Sequence, residues 1–194
     1  MKIAIFLYEK VTALDFVGPY EVLSRIPNTE ICFVGAEKGQ IADAGGLRFY
    51  TDFSLQDITQ ADILLIPGGF GIDALLHNTA LISWIKQMDK TTLWTTSVCS
   101  GVLLLAEAGI IKGKRCTTHW RRKEQLKNYD VEFVDSRYVQ DGKYITSAGV
   151  SAGIDMALFL TGKIIGDKGA MTIQRSIEYN PMPPYSYDSI INQS

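Results

Sequence analysis

Short, continuous apolar runs alternate along the chain with longer segments whose apolar residues recur every three or four positions. That alternation predicts parallel strands joined by crossover helices. Residues 3–8, 31–36, 63–66 and 93–98 read as buried strands, and residues 81–88 and 102–108 as helices, the second ended by Gly109. Residues 14–23 read as a loop entering a short helix, with Pro19 in its first turn. Residues 45–57 carry Gly45-Gly46 and then Phe49, Tyr50 and Phe53, the mark of a loop or hairpin. In the second half, residues 115–118 read as a short strand and 120–128 as a polar helix. Residues 131–134, 138–140 and 143–146 read as strands, the last two joined by a turn at Asp141-Gly142. Residues 154–165 form a long apolar helical segment and 170–177 the last helix, before a Pro-rich tail. No repeat or linker divides the chain, so residues 1–194 are expected to form one domain. The expected fold is α/β: a flavodoxin-like three-layer sandwich with a mostly parallel central sheet and helices on both faces.

Composition narrows the function classes. The chain is 46% hydrophobic and 21% charged with a net charge of −2, which gives no electrostatic footprint for nucleic acid or an anionic membrane. No apolar run approaches the roughly 20 residues of a membrane span. The apolar start is followed by Glu9-Lys10 rather than a small-residue cleavage site, so it reads as a strand and not a signal segment. Three scattered cysteines make no disulfide framework, and a cytoplasmic protein is expected. Two histidines far apart argue against a metal site, and the Gly-rich turns match no phosphate-binding motif.

In an open parallel sheet, ligands bind beyond the carboxyl ends of the strands. Cys99 follows one strand and precedes a helix, with Gly101 two positions on, in the manner of a strand–turn–helix nucleophile elbow. A helix N-terminus there is expected to lower the thiol pKa and favour the thiolate. The plain alternative is a packed thiol, and that reading is kept for Cys32 and Cys116, which sit inside strand-like runs. Gly68 and Gly69 end the strand at 63–66 and can turn backbone N–H groups towards a developing oxyanion, with the Ser100 amide as a second donor. Asp15 lies among apolar neighbours, where a carboxylate is costly unless paired or protonated; an N-cap role is its alternative. His119 follows a strand and is a possible accessory residue, whereas His77 reads as an exposed helix end.

Four motifs, in order, carry a resemblance: Leu14-Asp15-Phe16-Val17-Gly18-Pro19, Leu65-Ile66-Pro67-Gly68-Gly69, Ser97-Val98-Cys99-Ser100-Gly101, and the run Thr146 to Asp155. Together they resemble the ThiJ/PfpI superfamily, with its class I glutamine-amidotransferase-like fold, and most of all its isonitrile hydratase-like branch. The resemblance implies that Cys99 is the nucleophile, that Asp15 contacts its sulfur, and that Gly69 and Ser100 supply oxyanion-hole amides. It implies a small-molecule substrate, no cofactor and a homodimer, with the aromatic tail of residues 179–187 as one candidate interface and packing on its own domain as the alternative. Ser100 stands where protease-like members carry His, and the C-terminal region lacks the His of glutaminases, so neither activity is expected. Ligand-binding halves of some transcription regulators share this branch, but the chain leaves no room for a helix-turn-helix domain, and DNA binding is not expected. The expected chemistry is hydration of an isonitrile to an N-substituted formamide. The alternatives are a glutathione-independent glyoxalase or deglycase acting on 2-oxoaldehydes and a redox- or stress-sensing protein whose thiol oxidises. Choice of substrate falls to the loops around Phe70, residues 47–50 and Trp120.

Overall fold

The computed structural model describes residues 1–185. The first half runs β1 (Lys2–Phe6), α1 (Ala13–Leu23), β2 (Glu30–Gly35), β3 (Gly39–Ala42), β4 (Arg48–Thr51), β5 (Phe53–Ser54), β6 (Ile63–Ile66), α2 (Thr79–Asp89), β7 (Trp94–Val98) and α3 (Val102–Glu107). The second half runs β8 (Arg115–Cys116), α4 (Lys123–Leu126), β9 (Glu132–Phe133), β10 (Tyr138–Asp141), β11 (Tyr144–Ser147), α5 (Ala152–Ile165) and α6 (Asp167–Ser176). Seven strands form one sheet in the order β10-β11-β7-β6-β1-β2-β5, parallel throughout except for β10. Helices cover both faces, so β6 is buried along its whole length and shows no polar alternation. The core is built from this sheet, with Ile3, Ile5, Leu64, Ile66 and Ile85 removed from solvent altogether. No described helix is long and apolar enough to cross a membrane.

β7 departs from an apolar pattern: its Thr95, Thr96 and Ser97 are buried hydroxyl residues. A central strand tolerates the two threonines because their hydroxyls find acceptors, while the Ser97 hydroxyl has no partner among the described protein atoms. Thr96 Oγ1 donates to the Leu64 carbonyl at 2.9 Å, Thr95 Oγ1 donates to Asp89 at 2.7 Å, and the Ser97 carbonyl accepts from Ser147 Oγ at 3.3 Å.

Three local expectations need correction. First, α1 begins at Ala13, so Pro19 lies inside the helix rather than in its first turn. Proline removes one amide and crowds the Asp15 carbonyl. The helix continues because its far side is packed: a Cβ at Gly153 of α5 would lie only 3.1 Å from Pro19 Cγ. Second, the segment after Thr118 forms a 3-10 turn, Trp120–Arg122, and a single α-turn, shorter than its polar helical spacing suggests. His119 Nδ1 and Asp73 capture the Arg121 amide and the Arg122 side chain there. Third, Asp141 pairs with Tyr144, so the β10–β11 hairpin loop is Gly142-Lys143, one residue further along than expected. Gly142 supplies its φ of 62°.

The hairpin β3–β4 closes over α1, where the Phe16 and Phe49 rings meet edge-to-face at 4.7 Å. In the tail, Tyr179 packs on its own domain, its hydroxyl donating to Asp155 at 2.9 Å, while Tyr185 is exposed. The last two residues of the expected interface segment, Ser186 and Tyr187, lie outside the described residues.

Candidate active site

β1 sits where the strand order reverses, with β2 on one side and β6 and β7 on the other. Such a switch point opens a crevice at the carboxyl edge of a sheet. The segments that leave β1, β6 and β7 there carry Asp15, Gly68-Gly69 and Cys99 respectively.

Cys99 has φ 57°, the left-handed region that a side chain with a Cβ occupies only at a cost. Gly101 makes the tight turn possible, since a Cβ there would lie 2.1 Å from the Ile66 carbonyl oxygen. The nucleophile elbow read from Ser97 to Gly101 is therefore present as geometry. The thiol is not the pre-formed thiolate expected from a helix N-terminus. Cys99 is 8% exposed, and burial together with the charge of Asp15 pushes its pKa up to about 12. The Ser100 amide and hydroxyl pull the other way and lose. A 3-10 turn precedes α3, and α3 has only six residues, so little dipole is aligned on the sulfur.

Asp15 is completely buried, in the first turn of α1. Its Oδ2 accepts the Gly68 amide at 2.9 Å, a bond across 53 residues that replaces the N-cap role. Burial raises its pKa to about 7, against the stabilising pull of the Gly68 amide and the Cys99 thiol. Each group thus acts on the other's titration, yet the thiol does not complete a well-directed hydrogen bond, and Asp15 Oδ1 has no partner among the described protein atoms. The two titrate as a unit in which the resting state keeps the proton on sulfur and the carboxylate is poised to take it.

The Gly68-Gly69 turn is present, but its amides are engaged. Gly68 donates to Asp15, and Gly69 donates to Ser100 Oγ at 3.1 Å. Gly68 has to be glycine, because a Cβ there would lie 2.6 Å from the Ser100 nitrogen and 2.9 Å from Asp15 Oδ2. Any oxyanion accepted by Gly69 must first displace the Ser100 hydroxyl.

Two residues join the site that sequence reasoning did not single out. Tyr8, 6% exposed, donates its hydroxyl to the Pro67 carbonyl at 3.0 Å and so braces the Gly68-Gly69 turn from below. Burial, then the nearby charges of Asp15 and Cys99, raises its pKa well above the usual tyrosine value, so it stays a donor. Thr118 donates its hydroxyl to the Cys99 carbonyl at 3.0 Å and ties the elbow to the loop after β8. Tyr8 ends an apolar run and Thr118 sits in a polar one; only their place at the ends of strand-like runs was a signal. His119 is not brought into the thiol's hydrogen bonding. Its Nδ1 accepts the Arg121 amide at 3.3 Å, and partial burial and two neighbouring arginines hold its pKa below the usual value. His77 is exposed, and Cys32 and Cys116 are buried in strands, as expected. A groove between β10, α5 and α6 lies apart from all of this; there Arg137 and Tyr179 already satisfy Asp155. Among the described residues, no three His, Cys, Asp or Glu side chains are grouped to hold a metal ion.

Residues 1–162 match the model of the DJ-1/PfpI family. An isonitrile hydratase of Pseudomonas putida is 33% identical over 189 residues, 97% of this chain and 83% of that protein. The crystal structure of a ThiJ/PfpI family protein from Pseudomonas syringae superimposes with a TM-score of 0.92 at 28% identity, covering 95% of this chain and 77% of that one. DJ-1beta of Drosophila melanogaster superimposes with a TM-score of 0.83, covering 93% of this chain and 98% of that one; at 22% identity this likeness speaks for the fold alone.

Proposed function

Since the chain belongs to the DJ-1/PfpI family, we propose that it hydrates isonitriles to N-substituted formamides, with Cys99 as nucleophile and Asp15 as proton carrier. The observation that carries this reading is the buried Asp15 carboxyl against Cys99, raised to about 7 and with one oxygen unpartnered. A group titrating there can act as base and acid in the same cycle.

Asp15 accepts the thiol proton, and the thiolate attacks the terminal isonitrile carbon, forming a C–S bond. The proton then passes from Asp15 to that carbon, which gives the thioimidate R–N=CH–S–Cys99. Water adds to the same carbon, its hydroxyl forming the C–O bond while Asp15 relays its second proton to nitrogen. Collapse of the tetrahedral adduct breaks the C–S bond and releases R–NH–CHO, and the hydroxyl proton returns to the Cys99–Asp15 pair. The attack step places charge on carbon, where it is quenched by protonation, so it needs no vacant oxyanion hole. The engaged amides of Gly68 and Gly69 fit that requirement better than they fit acyl transfer.

Purified protein incubated with an alkyl isonitrile is expected to give the formamide, followed by NMR. Cys99→Ser and Asp15→Asn are each expected to lower kcat by about a thousandfold or more. No formamide from protein whose Cys99 is intact by mass would sink the reading. Lactate from methylglyoxal without glutathione would instead place the same thiol in aldehyde chemistry.

A further inference from the structure

Two loops bordering Cys99 are joined by an ion pair that no step of the hydration uses. Arg122 places Nη1 3.0 Å from Asp73 Oδ1 and Nη2 2.8 Å from Asp73 Oδ2. Gln125 completes the cluster, its Nε2 donating to Asp73 at 3.2 Å and its Oε1 accepting from Arg122 at 2.9 Å. A two-pronged arginine–carboxylate pair fixes orientation as well as distance, and a third member strengthens it beyond an isolated surface pair. Asp73 lies in the short turn Ile72–Leu75 that follows the Gly68-Gly69 segment. Arg122 ends the turn that follows Thr118, whose hydroxyl holds the Cys99 carbonyl. The clasp therefore spans the site, from the glycine turn to the strap over the nucleophile. The charges of Arg122 and Asp73 are felt at Tyr8, beneath the same turn.

Each clasped loop exposes a large aromatic ring: Phe70 is 72% exposed and Trp120 56%. Phe70 adjoins Gly69, and the residue after it is pinned, because a Cβ at Gly71 would lie 2.1 Å from the Glu9 carbonyl oxygen. Trp120 adjoins His119, whose ring lies 5.7 Å away, and has the Arg121 guanidinium 4.8 Å from its centroid. Rings left in water gain roughly 25 cal/mol for each Å² that a ligand covers.

We infer that Phe70 and Trp120 are the two walls of the entrance to Cys99, held at a fixed spacing by the Arg122–Asp73 clasp, and that they select substrates carrying an aromatic ring a few bonds from the reacting carbon. Phe70 and Trp120 are specificity residues; Arg122, acting through the loops, is a positioning residue. The inference rests on the hydratase reading only for the name of the reacting group, so its test uses other electrophiles too.

The rates at which N-benzylmaleimide and N-methylmaleimide alkylate Cys99 are measured, located by peptide mass and normalised to their rates with free glutathione. The benzyl reagent is expected to be favoured. Phe70→Ala and Trp120→Ala should each cut that preference about five- to tenfold while leaving the methyl rate within about twofold. Arg122→Gln should cut it similarly, whereas Arg122→Lys, which keeps one bond to Asp73, should retain part of it. With isonitriles, the same variants should raise KM for benzyl isonitrile and leave kcat unchanged. An unaltered benzyl-to-methyl ratio in Phe70→Ala and Trp120→Ala overturns the inference whatever the isonitrile turnover. Intact preference with no formamide formed overturns the hydratase reading and leaves the entrance standing.

Discussion

At the scale of single residues, Asp15 is a buried carboxyl whose charge carries a cost to the fold. Its carboxyl is protonated more readily in the folded protein than in the unfolded chain, because burial disfavours the charge. Its contribution to stability is therefore complete below the ordinary carboxylate range and is lost as pH rises through about 7. Asp15→Asn keeps an acceptor for the Gly68 amide and removes the buried charge. At pH 8 it is expected to stabilise the fold by roughly 2–4 kcal/mol, with no comparable gain at pH 4. Thermal unfolding at the two pH values checks this, and an equal shift at both would remove the buried charge as the cause. That Cys99 sits in a strand-to-helix turn and that Asp15 is a carboxylate among apolar neighbours were legible before any coordinates, since each is marked by its neighbours in the chain. Their titration was not, because a helix N-terminus argued for a thiolate while burial and the facing carboxylate, both tertiary facts, raise the thiol instead.

At the scale of elements, the elbow depends on β6 and β7 running side by side, with Ile66 opposite Ser97. That register presses Gly101 against the Ile66 carbonyl, a contact with backbone that cannot move aside. Gly101→Ala is expected to destabilise by about 3 kcal/mol or more. Gly153→Ala meets side-chain carbons of Pro19 and Val98, at 3.1 and 3.2 Å, rather than backbone, and should cost about 1 kcal/mol. Urea midpoints of the two variants test the contrast; similar losses would show that the turn is softer than its geometry implies. Buried strands such as β6 were evident as unbroken apolar runs, because strands covered on both faces have no polar side to alternate; β7, with Thr95, Thr96 and Ser97, breaks that pattern. α1 was less legible: Pro19 marks a helix start locally, and only the packing of α5 against it explains a helix that runs through.

At the scale of the molecule, the strand order puts three sequence-distant turns at one sheet edge, and the proposed chemistry draws on thiol, carboxyl and water alone. Dialysis against EDTA is accordingly expected to leave formamide production unchanged, within about twofold. A loss that returns on adding a divalent metal would count against the thioimidate route.

The chain by itself determined the layered α/β fold, the elbow at Cys99 and the presence of a buried carboxylate, because each is written in local periodicity or in a residue type set against its neighbours. Tertiary structure alone decided that Asp15 holds the Gly68 amide, that Ser100 occupies the Gly69 amide, that Tyr8 braces the turn and that Arg122 reaches Asp73 across 49 residues. These are contacts between segments far apart in sequence. Hydrogen bonding and desolvation at such contacts depend on distance and exclusion of water, neither of which exists until the sheet has assembled.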